Sequence, residues 1–225
     1  IVAGTPNSIT VVFQLATYDH PSRTPRVRSH ILRSFVTPSK HPSLPLLVST
    51  TDIRTPKVTQ VTDANGVEAV FWTEPTLEQF RISGRISLVP SSSYAGSYPD
   101  IPSPGHSILF DALRQENLNW EQTRLSTFNH LNGRMRASWC RPVPGTPLKG
   151  GYDDALEWPE SLPALGEAKD EEEKRNVEKA LENFALVIIE PLEVDFVELG
   201  TRPEKRTMYR RNLREMEFTE TIVVP

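Results

Sequence analysis

Proline punctuates this chain so densely that long uninterrupted helices are barred from much of it. Twenty of the 225 residues are proline, against a usual share of roughly 5%. Proline lacks a backbone donor and clashes with the preceding helical turn, so it belongs in turns, helix starts and strand edges. Half of the twenty fall in three stretches: Pro38, Pro42 and Pro45; Pro90, Pro99, Pro102 and Pro104; Pro142, Pro144 and Pro147. These are expected to be connections between strands.

The segments between the prolines read mainly as β. Residues 10–18 are rich in β-branched and aromatic side chains, and residues 26–36, 46–51 and 68–73 follow as further strands. Residues 63–66, Asp-Ala-Asn-Gly, form a turn before the last of these. In residues 79–89, Phe80, Ile82, Ile86 and Leu88 alternate with Gln79, Arg81, Ser83, Arg85 and Ser87. That period of two marks a strand with one buried and one polar face. Residues 184–189, 192–199 and 218–224 supply three more strands, and residues 135–139 suggest a short one.

Two helices are expected. Residues 107–131 carry apolar side chains at helical spacing. In residues 169–184, Val177, Ala180, Leu181 and Phe184 form one stripe behind an acidic first turn. Eight or nine strands clustered at both ends of the chain, with two helices and no βαβ alternation, predict an antiparallel β-barrel with helices packed outside. The whole chain reads as one domain, with a Ser/Pro-rich loop at 90–106 and an acidic helical insertion at about 165–184.

Composition narrows the function. A 37% hydrophobic content is too high for wholesale disorder, and the apolar runs are far short of a membrane span. A net charge of −4 is not that of a dedicated nucleic-acid binder. The single cysteine, Cys140, makes neither an intrachain disulfide nor a zinc spacing, which suits a reducing compartment, most simply the cytoplasm. None of the five histidines has metal-ligand spacing. No glycine-rich phosphate loop or catalytic triad is visible.

Two segments suggest an anion site. Residues 26–33 place Arg26, Arg28 and Arg33 around Ser29, His30 and Ile31; residues 50–57 join Thr50, Thr51 and Thr55 to Arg54 and Lys57. Hydroxyls, free turn N–H groups and cations are what a phosphate monoester requires. A solvated basic strand and an ordinary Thr/Pro turn would read the same way.

The runs RVRSHILRSF, LLVSTTDIRTPKVTQV and EAVFWTEPTLEQFRISGRI, followed by NWEQTRLSTFNHL, RPVPG, LVIIEPLEVDFVEL and TETIVVP, resemble in order the pyridoxamine 5′-phosphate oxidase-like, FMN-binding split-barrel family. The likeness is to its branch common in fungi and cyanobacteria. It implies a mainly β split barrel, a homodimer with FMN at the interface, and an oxidoreductase acting on a small molecule. By the resemblance, Arg28 and Arg33 match the family's cationic pair, Thr50 and Thr51 its strand-end pair, and Thr55 and Lys57 its phosphate turn. Pro56 stands where the family has arginine, a charge Arg54 could restore. Gln79 matches a glutamine that approaches the flavin ring, and Arg206 an arginine near the C-terminus. With Ser29, His30 and Ile31, these form the expected cofactor site. Arg28 and Arg33 are five positions apart, so a regular strand would point them to opposite faces.

The departures bear on the substrate. Phe196-Val197-Glu198 lacks the family's stacking tryptophan, and residues 202–206 hold Glu204 where the oxidases have a substrate-binding histidine. A carboxylate there would repel a substrate phosphate. The implied reading is therefore an FMN-dependent oxidoreductase whose substrate is unassigned. The alternatives are pyridoxamine/pyridoxine 5′-phosphate oxidation and non-catalytic FMN binding.

Overall fold

The computed structural model describes residues 10–63, 66–94, 101–103, 105–212 and 217–225. Nine antiparallel strands lie among them: β1 (Val12–Asp19), β2 (Thr24–Ile31), β3 (Ser34–Val36), β4 (Leu46–Asp52), β5 (Gly66–Thr73), β6 (Glu78–Val89), β7 (Phe184–Glu198), β8 (Lys205–Asn212) and β9 (Glu217–Val223). They form one sheet in the order β2-β1-β5-β6-β7-β4-β3, with β8 also paired to β7 and β9 to β8. The sheet curls until β2 approaches β4, but these two share no ladder. The barrel is thus split along that line, and the mainly β expectation holds.

The long strand β7 organises both cores. Phe184, Leu186 and Ile188 face a cluster shared with the helices, while Ala185, Val187 and Ile189 face the barrel interior. Alternate positions of one strand serve two hydrophobic layers, so the run is apolar throughout. Residues 184–189 and 192–199 are one strand, because Glu190-Pro191 is a bulge site and not a break. Gly84 pairs with Pro191 and Ser83 with Glu193, leaving Leu192 extra. Gly84 makes that approach possible: a Cβ there would stand 2.3 Å from the Glu190 carbonyl oxygen.

Five α-helices occur among the described residues: α1 (Pro56–Asp63), α2 (Ile108–Gln115), α3 (Trp120–His130), α4 (Gly133–Ser138) and α5 (Glu171–Asn183). Helix α1 was not expected, since Val58, Thr59, Val61 and Thr62 favour strands locally. Burial of Val58 and Val61 against Phe13 and Leu15 in the barrel core overrides that preference. The predicted helix over 107–131 is two helices, divided at Asn117, whose φ of 58° ends the first. The strand expected at 135–139 lies largely in α4: the Asn132 side chain caps Met135 N at 2.8 Å, and Arg136 donates to the Leu162 carbonyl. Strand β8 was also missed, because its alternating polar residues carry little apolar signal.

Asp170 caps α5 through the amides of Glu172 and Glu173, as the acidic start suggested. Trp72, whose size alone would suggest a core position, is 42% exposed. Part of the Ser/Pro-rich loop (95–100 and 104) and Ala64-Asn65 of the expected turn lie outside the described residues. Among those described, no helix is long and apolar enough to cross a membrane.

Candidate functional site

Where β2 and β4 diverge, a cleft of about 770 Å³ opens, within the range of small-molecule and cofactor pockets. Its inner wall carries Ser29, His30 and Ile31 from the end of β2, Arg33 just beyond, and Thr50 and Thr51 from β4. Lys57, in the first turn of α1, closes the floor. The outer wall is Met135, Ser138 and Trp139 with the proline-rich segment 141–149, and Trp158 stands at its end. Trp139 is locked in place: its indole N–H donates to the Thr51 carbonyl at 3.1 Å, and its ring meets Phe184 edge-on.

The strand break at Leu32-Arg33 shapes the inner wall. Leu32 N donates to the Val11 carbonyl, whereas Arg33 N donates to the Val48 carbonyl at 2.8 Å. The chain therefore changes partner strand between these residues. Arg33 Nε then reaches Thr50 Oγ1 at 3.3 Å, and Lys57 Nζ donates to Thr51 Oγ1 at 3.1 Å. Arg28 turns into the barrel instead, donating to the Leu15 carbonyl, Thr17 Oγ1 and Gln60 Oε1. The expectation that Arg28 and Arg33 point apart is met, and the break separates them further.

Among the described residues, Arg28, Arg33 and Lys57 have no carboxylate partner. Asp52 lines the cleft, but Arg54 holds it in a two-pronged ion pair with N···O distances of 2.9 and 2.6 Å. Burial pulls the Arg33 and Lys57 pKa values down, and Arg28 repels Lys57 further, with Asp52 opposing in part. His30 lies among the three cations; burial and then repulsion by Lys57, Arg28 and Arg33 lower its pKa to about 3. The imidazole is therefore neutral at physiological pH. A partly buried cation cluster without an ion-paired carboxylate among the described residues, edged by threonine hydroxyls, is an anion-binding arrangement.

Seven of the expected residues line the cleft: Ser29, His30, Ile31, Arg33, Thr50, Thr51 and Lys57. Four do not. Arg28 is behind the wall, and the Thr55 hydroxyl is engaged by the Asp52 carbonyl at 2.7 Å. Gln79 pairs with Trp72 and Val197, and Arg206 bonds to Asp195 at 2.9 and 3.0 Å, on strands away from the cleft. Arg54 does not supply the charge missing at Pro56, because Asp52 and the Trp139 carbonyl hold its guanidinium. The outer wall, with Trp139, Arg141, Lys149 and Trp158, was not found as a site. Arg141 lies over the Trp158 ring at 5.8 Å, a pairing 17 positions apart with no local sequence signal.

Comparison with known proteins accords with this geometry. Residues 4–90 match the model of the pyridoxamine 5′-phosphate oxidase FMN-binding domain. No curated protein matches the chain. Among solved structures, a pyridoxamine 5′-phosphate oxidase-related, FMN-binding protein from Nostoc punctiforme aligns with a TM-score of 0.66 and 23% identity, covering 95% of this chain and 88% of that one. That likeness shows the fold. PhzG from Burkholderia lata, solved with tetrahydrophenazine-1-carboxylic acid, aligns with a TM-score of 0.44 and 13% identity, covering 95% and 82%.

Proposed function

Because this chain is pyridoxamine 5′-phosphate oxidase-like in both its matched domain and its fold, we propose that it is a flavoprotein that binds FMN in the cleft and acts as an oxidoreductase on a small molecule. The observation that carries the reading is the convergence of Arg33 and Lys57 on one cleft whose Asp52 is already held by Arg54, so that neither cation is ion-paired to a carboxylate among the described residues. A phosphate monoester would supply that charge, with Thr50 and Thr51 hydroxyls and the Arg33 guanidinium as donors. The donor set therefore fits the phosphate end of FMN. When bound, FMN would supply the redox chemistry; the protein's part is to bind, orient and exclude water. Arg141 and Lys149 outnumber Asp154 on the outer wall, which makes that side favourable to an anionic co-substrate.

A homodimer is part of the reading. Cross-strand pairing puts Trp72, Gln79, Val197 and Arg206 in one row across β5, β6, β7 and β8. Through Val70–Gln14 and Ala16–Val27 pairing, the same sheet face continues to Ser29 and Ile31 beside the cleft. It exposes Val12 (47%), Val27 (64%) and Trp72 (42%). A second copy laid on that face would cover these side chains and carry its own Gln79 and Arg206 toward the first copy's cleft. Pyridoxamine-phosphate oxidation is not favoured, since Asp195 holds Arg206 and Glu204 stands close by in sequence. The single cysteine suits a cytoplasmic setting.

The test is to purify the protein, release any cofactor by heat and identify it, then titrate the stripped protein with FMN. A flavin absorption band and quenching of FMN fluorescence are expected. Colourless protein that fails to quench FMN would overturn the reading, and a monomer in sedimentation would remove its dimer part.

A further inference from the structure

The turn that ends β4 brings a carboxylate to the anion cleft. Asp52 lines the cleft, with its side chain 10% exposed. Its Oδ1 accepts from the Arg54 backbone N–H at 2.9 Å, which closes a side-chain turn two residues long. The Asp52 carbonyl accepts from Thr55 N and from Thr55 Oγ1, leading the chain into α1 and so to Lys57. An asparagine at position 52 could build the same turn without a charge. The carboxylate instead works against an anionic ligand: it repels a phosphate, and its field already reaches Lys57, whose charged form it favours.

Arg54 answers that charge. Its Nε donates to Asp52 Oδ1 at 2.9 Å and its Nη2 to Oδ2 at 2.6 Å, a two-pronged pair whose side chains are 15% and 10% exposed. Nη2 also donates to the Trp139 carbonyl at 3.3 Å, which accepts from the Asn183 side-chain amide at 2.9 Å. The guanidinium is thereby fixed between the turn after β4 and the residue that ends α4. Arg54 itself does not line the cleft, so it acts through Asp52 and not on a ligand. With Asp52 engaged, the inner wall and floor keep two positive charges, those of Arg33 and Lys57. A phosphate monoester carries roughly −1.5 to −2 at neutral pH. Without Arg54, Asp52 would cancel one of the two cations.

We propose that Arg54 is a positioning residue that sets the cleft's preference for a doubly charged phosphate monoester, by engaging the Asp52 carboxylate so that Arg33 and Lys57 are left to the ligand. The inference rests on reading the cleft as the FMN phosphate site.

Two experiments separate this inference from that reading. In the ligand-free protein, the Lys57 ammonium is titrated by NMR. Arg54→Met frees the Asp52 carboxylate, so the Lys57 pKa is expected to rise, and adding Asp52→Asn is expected to remove the rise. A Lys57 titration that Arg54→Met leaves unmoved would overturn the proposal whatever FMN does. In FMN titrations of stripped protein, Arg54→Met is expected to weaken binding about tenfold. Adding Asp52→Asn is expected to restore most of that loss. Both variants lose the Arg54–Trp139 bond, so the difference between them isolates the charge. Riboflavin, which lacks the phosphate, is expected to bind both variants as it binds the unsubstituted protein. A loss that Asp52→Asn does not rescue, or that riboflavin shares, would mean that Arg54 acts on the turn and Trp139 alone, and the proposal would fail. The expected Lys57 shift in a protein that does not bind FMN would sink the cofactor reading and leave the role of Arg54 intact.

Discussion

Removing the charge of Lys57 should move ligand binding and unliganded stability in opposite directions. In Lys57→Met the side chain keeps most of its length and loses the ammonium. A charge-assisted hydrogen bond to a phosphate contributes roughly 1.5–3 kcal/mol. FMN affinity should therefore fall by about 2 kcal/mol, or roughly 30-fold. Adding Arg33→Met should take the total toward about 4 kcal/mol, less whatever the two lose by sharing one phosphate. Without ligand, burial disfavours the charged form of Lys57 and Arg28 repels it, while Asp52, already ion-paired to Arg54, offsets only part of this. Replacing such a charge by an apolar side chain relieves about 1 kcal/mol, which in a chain of this size raises Tm by about 2–4 °C. Fluorescence titration gives the first quantity and a thermal melt of stripped protein the second. If Lys57→Met lowers Tm and leaves FMN affinity unchanged, the cation cluster is structural and the argument for an anion site fails.

Arg28→Met should behave differently, since it removes the guanidinium that donates to the Leu15 carbonyl and Thr17 Oγ1 and one of the two donors to Gln60 Oε1. Unliganded stability should fall by roughly 2–3 kcal/mol in denaturant unfolding, in contrast to the gain from Lys57→Met. Gly84→Ala would drive a Cβ to 2.3 Å from a backbone oxygen. A loss of more than about 2 kcal/mol is expected by thermal melt, because neither strand at the bulge can give way alone. The depressed His30 pKa makes stability acid-sensitive. Between the folded value of about 3 and the unfolded value near 6.5, the unfolded chain binds a proton that the folded one does not. Stability present above pH 6.5 is therefore lost as pH falls through that window, by about 2–3 kcal/mol at pH 4.5. His30→Gln should flatten this part of the curve in unfolding titrations run from pH 7 to pH 4.

Period-two patterning made β6 legible, because it alternates buried and polar side chains over much of its length, and β-branched and aromatic residues marked β1 and β5. Strand β7 was legible only in pieces: it is buried on both faces, and Pro191, which looks like a break, sits where the ladder absorbs an extra residue. Helices α1 and α4 were hidden for a related reason. Both are short, and packing against neighbours distant in sequence, not local propensity, holds them helical. The cationic inner wall could be nominated from two short segments, since Arg33, Thr50, Thr51 and Lys57 are close along the chain.

Which of those cations face the cleft was a separate matter. Arg28 and Arg33 look alike in sequence, yet one bonds inside the barrel and the other reaches Thr50, because the chain changes partner strand at Leu32-Arg33. Arg54 and Arg206 looked free and are held by Asp52 and Asp195. The sequence by itself determined the chemistry on offer, a local excess of cations and hydroxyls in residues 26–33 and 50–57 of a chain that is acidic overall. Only the tertiary structure decided which charges were neutralised and which were left for a ligand, because that depends on carboxylates and carbonyls brought close by folding.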